Sequence, residues 1–165
     1  PFLQQQSRLR SNGACTYGVH LYDYDPALGQ DWYMGTMLDL NALRTQGVMA
    51  VDVCASNCYL LGQANIILQD QMICVILNLD ASAGVEVHSQ EVYVAADCAR
   101  LVQEGWGKPA KPGEWIYVGD ADSVLLYLPM SVSYDPVGLS TVGYDLTYGY
   151  LQQQLLLWRQ NCGLE

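Results

Sequence analysis

The alternation of apolar and polar positions is sharpest between Glu114 and Tyr150. From Val124 to Tyr134 every second residue is apolar: Val124, Leu126, Leu128, Met130, Val132 and Tyr134. The positions between them turn polar along the run, from Leu125 and Tyr127 through Pro129 to Ser131, Ser133 and Asp135. Successive side chains of a strand point to opposite faces, so this period predicts one long strand with a buried face. Pro129 has no amide hydrogen, which puts the strand at an edge or a bulge at that point. Asp135 to Gly138 turns the chain, and Thr141–Tyr150 alternates again. Tyr144, Leu146, Tyr148 and Tyr150 would share one face of that strand, with Gly143, Asp145, Thr147 and Gly149 on the other. A tyrosine-rich face beside a nearly bare one offers close approach to another backbone or a flat ligand.

The rest of the chain gives shorter signals. Residues 2–12 read as a short helix stopped by Gly13, or equally as an N-terminal arm (1–13) that packs on a neighbouring subunit. Tyr17, Val19 and Leu21 alternate with Thr16, Gly18, His20 and Tyr22, as in a strand. Thr36 to Asp39 resembles a capping box with Asp in place of Glu, which predicts a helix over Met37–Gln46 ended by Gly47. Val48–Tyr59 begins as a strand with Val51 and Val53 on one face. Ala64–Leu68 and Met72–Leu79 are apolar runs joined by a hairpin turn at Gln69–Gln71, the second a buried strand. Val85–Val94 fits a hairpin or a helix from Ser89 to Glu104 stopped by Gly105; the helix is the favoured reading, with Val92, Ala96, Ala99 and Val102 on one face. Residues 105–113 are a loop, in which Trp106 either caps the core or meets a partner. Trp115–Val118 is a short strand, followed by a turn over Gly119–Ser123. Leu151, Leu155, Trp158 and Cys162 form one helical stripe ended by Gly163, with Gln152–Gln154 facing water or a neighbour.

Composition supports a single domain over residues 1–165 that is mainly β. It is expected to be an antiparallel sandwich or meander with one to three peripheral helices, including the amphipathic C-terminal one. Hydrophobic residues make up 51% of the chain, enough for a core, yet no apolar run reaches the ~18 residues of a membrane helix. Net charge is -10 with only 7 Lys and Arg, paired at Arg8/Arg10 and Lys108/Lys111. Binding a phosphate backbone or an anionic membrane needs clustered cations, so both are disfavoured as partners. The acids are mostly Asp, 12 against 5 Glu, which favours turns over helix interiors. Tyr occurs 12 times and Phe once, and Tyr suits surfaces where a ring is half wet, though it is also a good strand residue. The six cysteines, Cys15, Cys54, Cys58, Cys74, Cys98 and Cys162, leave disulfides and buried thiols both open. His20 and His88 fall at no zinc spacing relative to them.

Candidate chemistry is sparse. No nucleophile elbow, phosphate-cradling loop or dinucleotide fingerprint occurs. Carboxylates spaced by two suggest Ca²⁺ at Asp23, Asp25 and Asp31, and again at Asp120 and Asp122; Ca²⁺ is the one cofactor the sequence raises. The order HLYDYDPAL, LRTQGVMAVDVCASN, GKP, YVGDADS is similar to the motifs of the haloacid-dehalogenase-like phosphohydrolases. That resemblance implies a parallel α/β sheet and a Mg²⁺ site built from Asp23, Asp25, Ser56, Lys108, Asp120 and Asp122, with Pro26-Ala27 departing from the family pattern. The preferred expectation is different. It is a non-enzymatic structural subunit of a larger assembly, such as a virion, appendage or secreted matrix, that contacts itself or a neighbouring protein. Such a subunit is expected outside the cell or in a virion. A small-ligand or glycan-binding module is the alternative, with Trp32, Trp106, Trp115, Tyr144, Tyr148 and Tyr150 as stacking surfaces.

Overall fold

The computed structural model describes residues 9–29, 33–55, 59–141 and 144–164, with the backbone alone over 144–148. Strands account for 46% and helices for 26%, so the chain is mainly β. The strands are β1 (Arg10–Thr16), β2 (Val19–His20), β3 (Met34–Asp39), β4 (Val48–Ala55), β5 (Tyr59–Gln69), β6 (Met72–Leu79), β7 (Glu86–Gln90), β8 (Tyr93–Ala95), β9 (Trp115–Tyr117), β10 (Ser123–Tyr127) and β11 (Met130–Tyr134). The helices are α1 (Leu21–Tyr24), α2 (Leu40–Gln46), α3 (Cys98–Glu104) and α4 (Tyr144–Asn161). A 7-stranded sheet runs β7-β11-β1-β4-β5-β6-β9, and a 4-stranded sheet runs β2-β3-β10-β8. Every strand pairing among the described residues is antiparallel, so the parallel sheet implied by the phosphohydrolase resemblance is not found there.

The chain passes between the sheets by longer connections from β3 to β4, β8 to β9 and β9 to β10, and directly from strand to strand at Tyr17-Gly18, Glu91-Val92 and Leu128-Pro129. The last crossing corrects the expected single strand over Val124–Tyr134. Pro129 cannot donate to a ladder, and the chain leaves one sheet there for the other. All six alternating apolar side chains stay buried nevertheless, none more than 2% exposed. They line one core between the large sheet, β3, β10 and α2. Leu125 points the other way into a second core with Val19, Leu21, Tyr24, Met37, Leu101 and Trp158, so β10 is buried on both faces.

The Val85–Val94 segment forms neither the favoured helix nor a hairpin: it gives two strands, β7 and β8, that lie in different sheets. Val87 pairs with Val132 in the large sheet and Val94 with Leu126 in the small one. Strand burial on two neighbours outweighs the weak helical stripe. Helix α3 starts only at Cys98, where the Asp97 carboxylate accepts from the Arg100 amide at 3.1 Å, and it ends at Gly105. Helix α2 likewise starts later than expected, because Asp39 is the cap and Thr36 belongs to β3. The Thr36 hydroxyl donates to Tyr17 O at 3.0 Å and so accepts from Thr16 at 2.7 Å, leaving nothing for a capping box. The hairpin between β5 and β6 is as expected, with Asp70 at φ 57 in its turn. Residues 10–12 are strand rather than helix or arm, and Gly13 pairs with Ser131. Residues 2–8 lie outside the described set.

Helix α4 holds the largest correction. Tyr144–Tyr150 is its first part, not a strand. The stripe Tyr150, Leu151, Gln154, Leu155 and Trp158 repeats at helical spacing, and helix formation propagates readily from such a packed stripe. Gln154 does not face water: it is 5% exposed and pairs with the edge of β3. Its Nε2 donates to Met37 O at 2.9 Å, and its Oε1 accepts from Met37 N. Strand β2 begins only at Val19, opposite Gly35, too late to pair with Met37, so a side-chain amide takes the place of the missing strand residue. Asn161 does similar work at the other end. It accepts from Cys98 N and donates to Ser123 O, both at 3.0 Å. A Cys98–Cys162 disulfide, Cα atoms 5.1 Å apart, then ties α3 to the end of α4.

Candidate functional site

Three surface features bear on function. The first is the outer face of β4, β5, β6 and β9. Inward residues of these strands, such as Val51, Val53, Ile66, Ile73 and Val75, fill the main core. Pleating sends the alternate residues outward. Strand register then sets Val48, Ile67, Cys74 and Trp115 side by side in one row across all four strands. Ala50, Asn65 and Ile76 form the next row, and Gln69, Met72 and Tyr117 the row beyond Trp115. Not one of these ten residues is charged, in a chain of net charge -10. Val48 is 51% exposed, Ile76 44%, Trp115 45% and Tyr117 70%. Toward Cys54 the face closes, where Cys15, Tyr17, Met34, Cys54 and Tyr150 pack as a small core of their own. The signal for this face was already present, since Met72–Leu79 is apolar at successive positions rather than alternate ones. The sequence reading took it for a strand buried on both sides. One side is buried and the other is open.

The second feature is a group of rings. Trp106 lies 5.3 Å from Tyr127 and 5.7 Å from Tyr93 between ring centres. Tyr93 stacks on Tyr127 at 5.5 Å, and Tyr33 meets Tyr127 edge-on at 6.0 Å. β8 and β10 are paired, which puts Tyr93 opposite Tyr127, and the loop after α3 brings Trp106 across them. The Tyr93 hydroxyl donates to Glu91 at 2.6 Å, which holds its pKa above the ordinary value. Beside the rings is a 350 Å³ pocket.

The third is a cleft of 660 Å³ lined by Asp39, Asp97, Asp122, Ser123, Gln160 and Asn161 among others. Its carboxylates have structural work. Asp39 caps α2, Asp97 caps α3, and Asp122 accepts from Asn41 Nδ2 at 3.1 Å. Among the described residues no three His, Cys, Asp or Glu side chains are placed to hold a metal ion.

The expected site residues are dispersed. Asp23 sits on α1, and Asp25 caps the following turn through Ala27 N at 2.9 Å. Asp120 accepts from Gln71 Nε2 at 2.8 Å. Asp122 lines the acidic cleft, which neither Asp23, Asp25 nor Lys108 reaches. Asp31, Trp32, Ser56 and Cys58 lie outside the described residues, as do the side chains of Tyr144 and Tyr148. Tyr150 is no open stacking surface. Its ring stacks on Tyr17 at 5.5 Å, and its hydroxyl donates to Tyr17 O at 2.9 Å. Burial, and then the Asp52 carboxylate, push its phenol well above the usual range. Among the contacts expected from sequence, Trp106 is the one the fold builds into an aromatic group. No helix among the described residues is long and apolar enough to cross a membrane.

No family model, curated protein or solved structure matches this chain.

Proposed function

We propose that this protein is a non-enzymatic assembly subunit, and that two copies meet face to face through the outer surface of β4, β5, β6 and β9. The observation that carries this reading is the uncharged row Val48–Ile67–Cys74–Trp115 on an open sheet face. Exposed apolar patches of a few hundred Å² mark interaction sites, and interface centres are depleted of charge and rich in aromatic residues and Met. Sheet faces pack on one another ~10 Å apart through interdigitating side chains. A net charge of -10 on each copy opposes association, so any contact between copies is confined to a face without charge.

The test is mass in solution over a concentration series, by sedimentation or light scattering. The wild-type chain is expected to rise from 18.3 kDa toward twice that value. Ile76→Lys, which charges the centre of the face with a side chain that points outward, is expected to hold the monomer with an unchanged circular dichroism spectrum. Glu86→Lys, on β7 at the far edge of the same sheet, alters net charge twice as much as Ile76→Lys and is expected to leave the dimer intact. A wild-type chain that stays monomeric at ~1 mM, or an Ile76→Lys chain that associates as well as the parent, overturns the proposal.

A further inference from the structure

The ring group around Trp106 carries an unpaid polar debt. Among the described residues, the indole Nε1–H of Trp106 is the one buried side-chain polar atom without a hydrogen-bond partner. An unpaired buried donor is destabilising, so it marks a place where an acceptor belongs. The pocket beside it, 350 Å³, is lined by apolar Val94, Ala95 and Leu101 and by the polar pair Arg100 and Glu104. That size is at the lower end for small-ligand sites. Arg100 Nε and Glu104 Oε2 lie 2.9 Å apart, so they cancel each other's charge while keeping further donors and acceptors at the rim. Trp106 itself is set between Gly105 and Gly107, and a side chain built at either glycine would meet nothing within 4 Å. The loop on either side of Trp106 is thus open, while the indole itself packs on Tyr93 and Tyr127 and lines the pocket.

We infer that Trp106 and the adjoining pocket bind a neutral sugar ring, one face lying on the indole and one ring or hydroxyl oxygen accepting from Nε1–H. Each part follows from the site. A pyranose has a face of C–H groups for the ring and an edge of hydroxyls for Arg100 and Glu104. An anion is disfavoured by the net charge of -10. An aromatic group in an acidic protein also attracts quaternary ammonium ions, but a cation has no acceptor for the orphan N–H. This site is separate from the sheet face proposed for association.

The experiment follows the indole N–H resonances of the full chain, labelled with ¹⁵N-tryptophan. There are 4 tryptophans, and Trp106→Phe assigns the relevant peak. Methyl glycosides of glucose, galactose and N-acetylglucosamine are titrated separately, with tetramethylammonium chloride as the competing probe. At least one glycoside is expected to shift the Trp106 peak saturably, with a Kd of about 1–10 mM. Glu104→Ala, whose ion pair with Arg100 is solvent-exposed, is expected to fold normally and weaken that Kd about threefold. No movement of the Trp106 peak at ~50 mM of any glycoside, or movement with tetramethylammonium alone, overturns the inference.

Discussion

Gln154 shows how much one side chain can settle. Its amide serves both backbone groups of Met37, and the Tyr24 hydroxyl sits 3.1 Å from Oε1 and 3.0 Å from Gly35 O. Gln154→Leu keeps the volume of the residue and removes the amide. It leaves a buried N–H and a buried C=O of β3 without partners, and is expected to cost about 2–4 kcal/mol in urea unfolding. A loss under ~1 kcal/mol would mean that β3 finds water there instead. Nothing in the local sequence separates Gln154 from Gln152 and Gln153, which are exposed. Its role depends on where β2 begins, and that is a tertiary fact. Apolar positions were far more legible. Leu151, Leu155 and Trp158 pack where their spacing put them, because burial of an apolar stripe needs no particular partner.

Elements were legible where local and tertiary preferences agree. The β5–β6 hairpin, the glycine stops of α2, α3 and α4, and the C-terminal stripe follow from turn chemistry and periodicity. Glu86–Ala95 and Tyr144–Tyr150 were not, since both segments fit two periods over a short length and only their neighbours decide between them. The join between α3 and α4 belongs to this scale too. The Cys98–Cys162 disulfide spans a sequence separation of 64 residues, and its pairing was one of several that the spacings allowed. Closing a loop of that length in the unfolded chain stabilises the fold by about 4 kcal/mol. Cys162→Ser is therefore expected to lower the unfolding free energy by roughly that amount, and reduction of the parent chain to reproduce the loss. Wild-type and variant that unfold at the same urea concentration would show that Asn161 and the packing of Trp158 already fix the helix.

At the scale of the molecule, the chain crosses repeatedly between two sheets and α4 packs against the smaller one, burying tyrosines as it does so. Tyr24 and Tyr150 both have their phenol pKa raised, first by burial, and then by each other's neighbourhood: Tyr150 beside Tyr24, and Asp52 beside Tyr150. The folded values therefore lie above the ordinary value near 10 that the unfolded chain shows. Below that pH both states keep the proton and the stability is fully present. Above it the unfolded state loses protons that the folded state retains, so stability falls as pH rises toward the folded values. The slope is about 1.4 kcal/mol per pH unit for each tyrosine. Absorbance at ~295 nm is expected to show a lagging fraction of the tyrosines that ionises only as the chain unfolds. In Tyr150→Phe the fall in unfolding free energy between pH ~10 and ~11.5 should be less steep by about one tyrosine's share, whatever the variant loses at neutral pH through its missing bond to Tyr17. A parent chain whose tyrosines all titrate together near pH 10 while still folded would show that α4 opens to solvent before the sheets do, and that the C-terminal helix is a separate unit of stability.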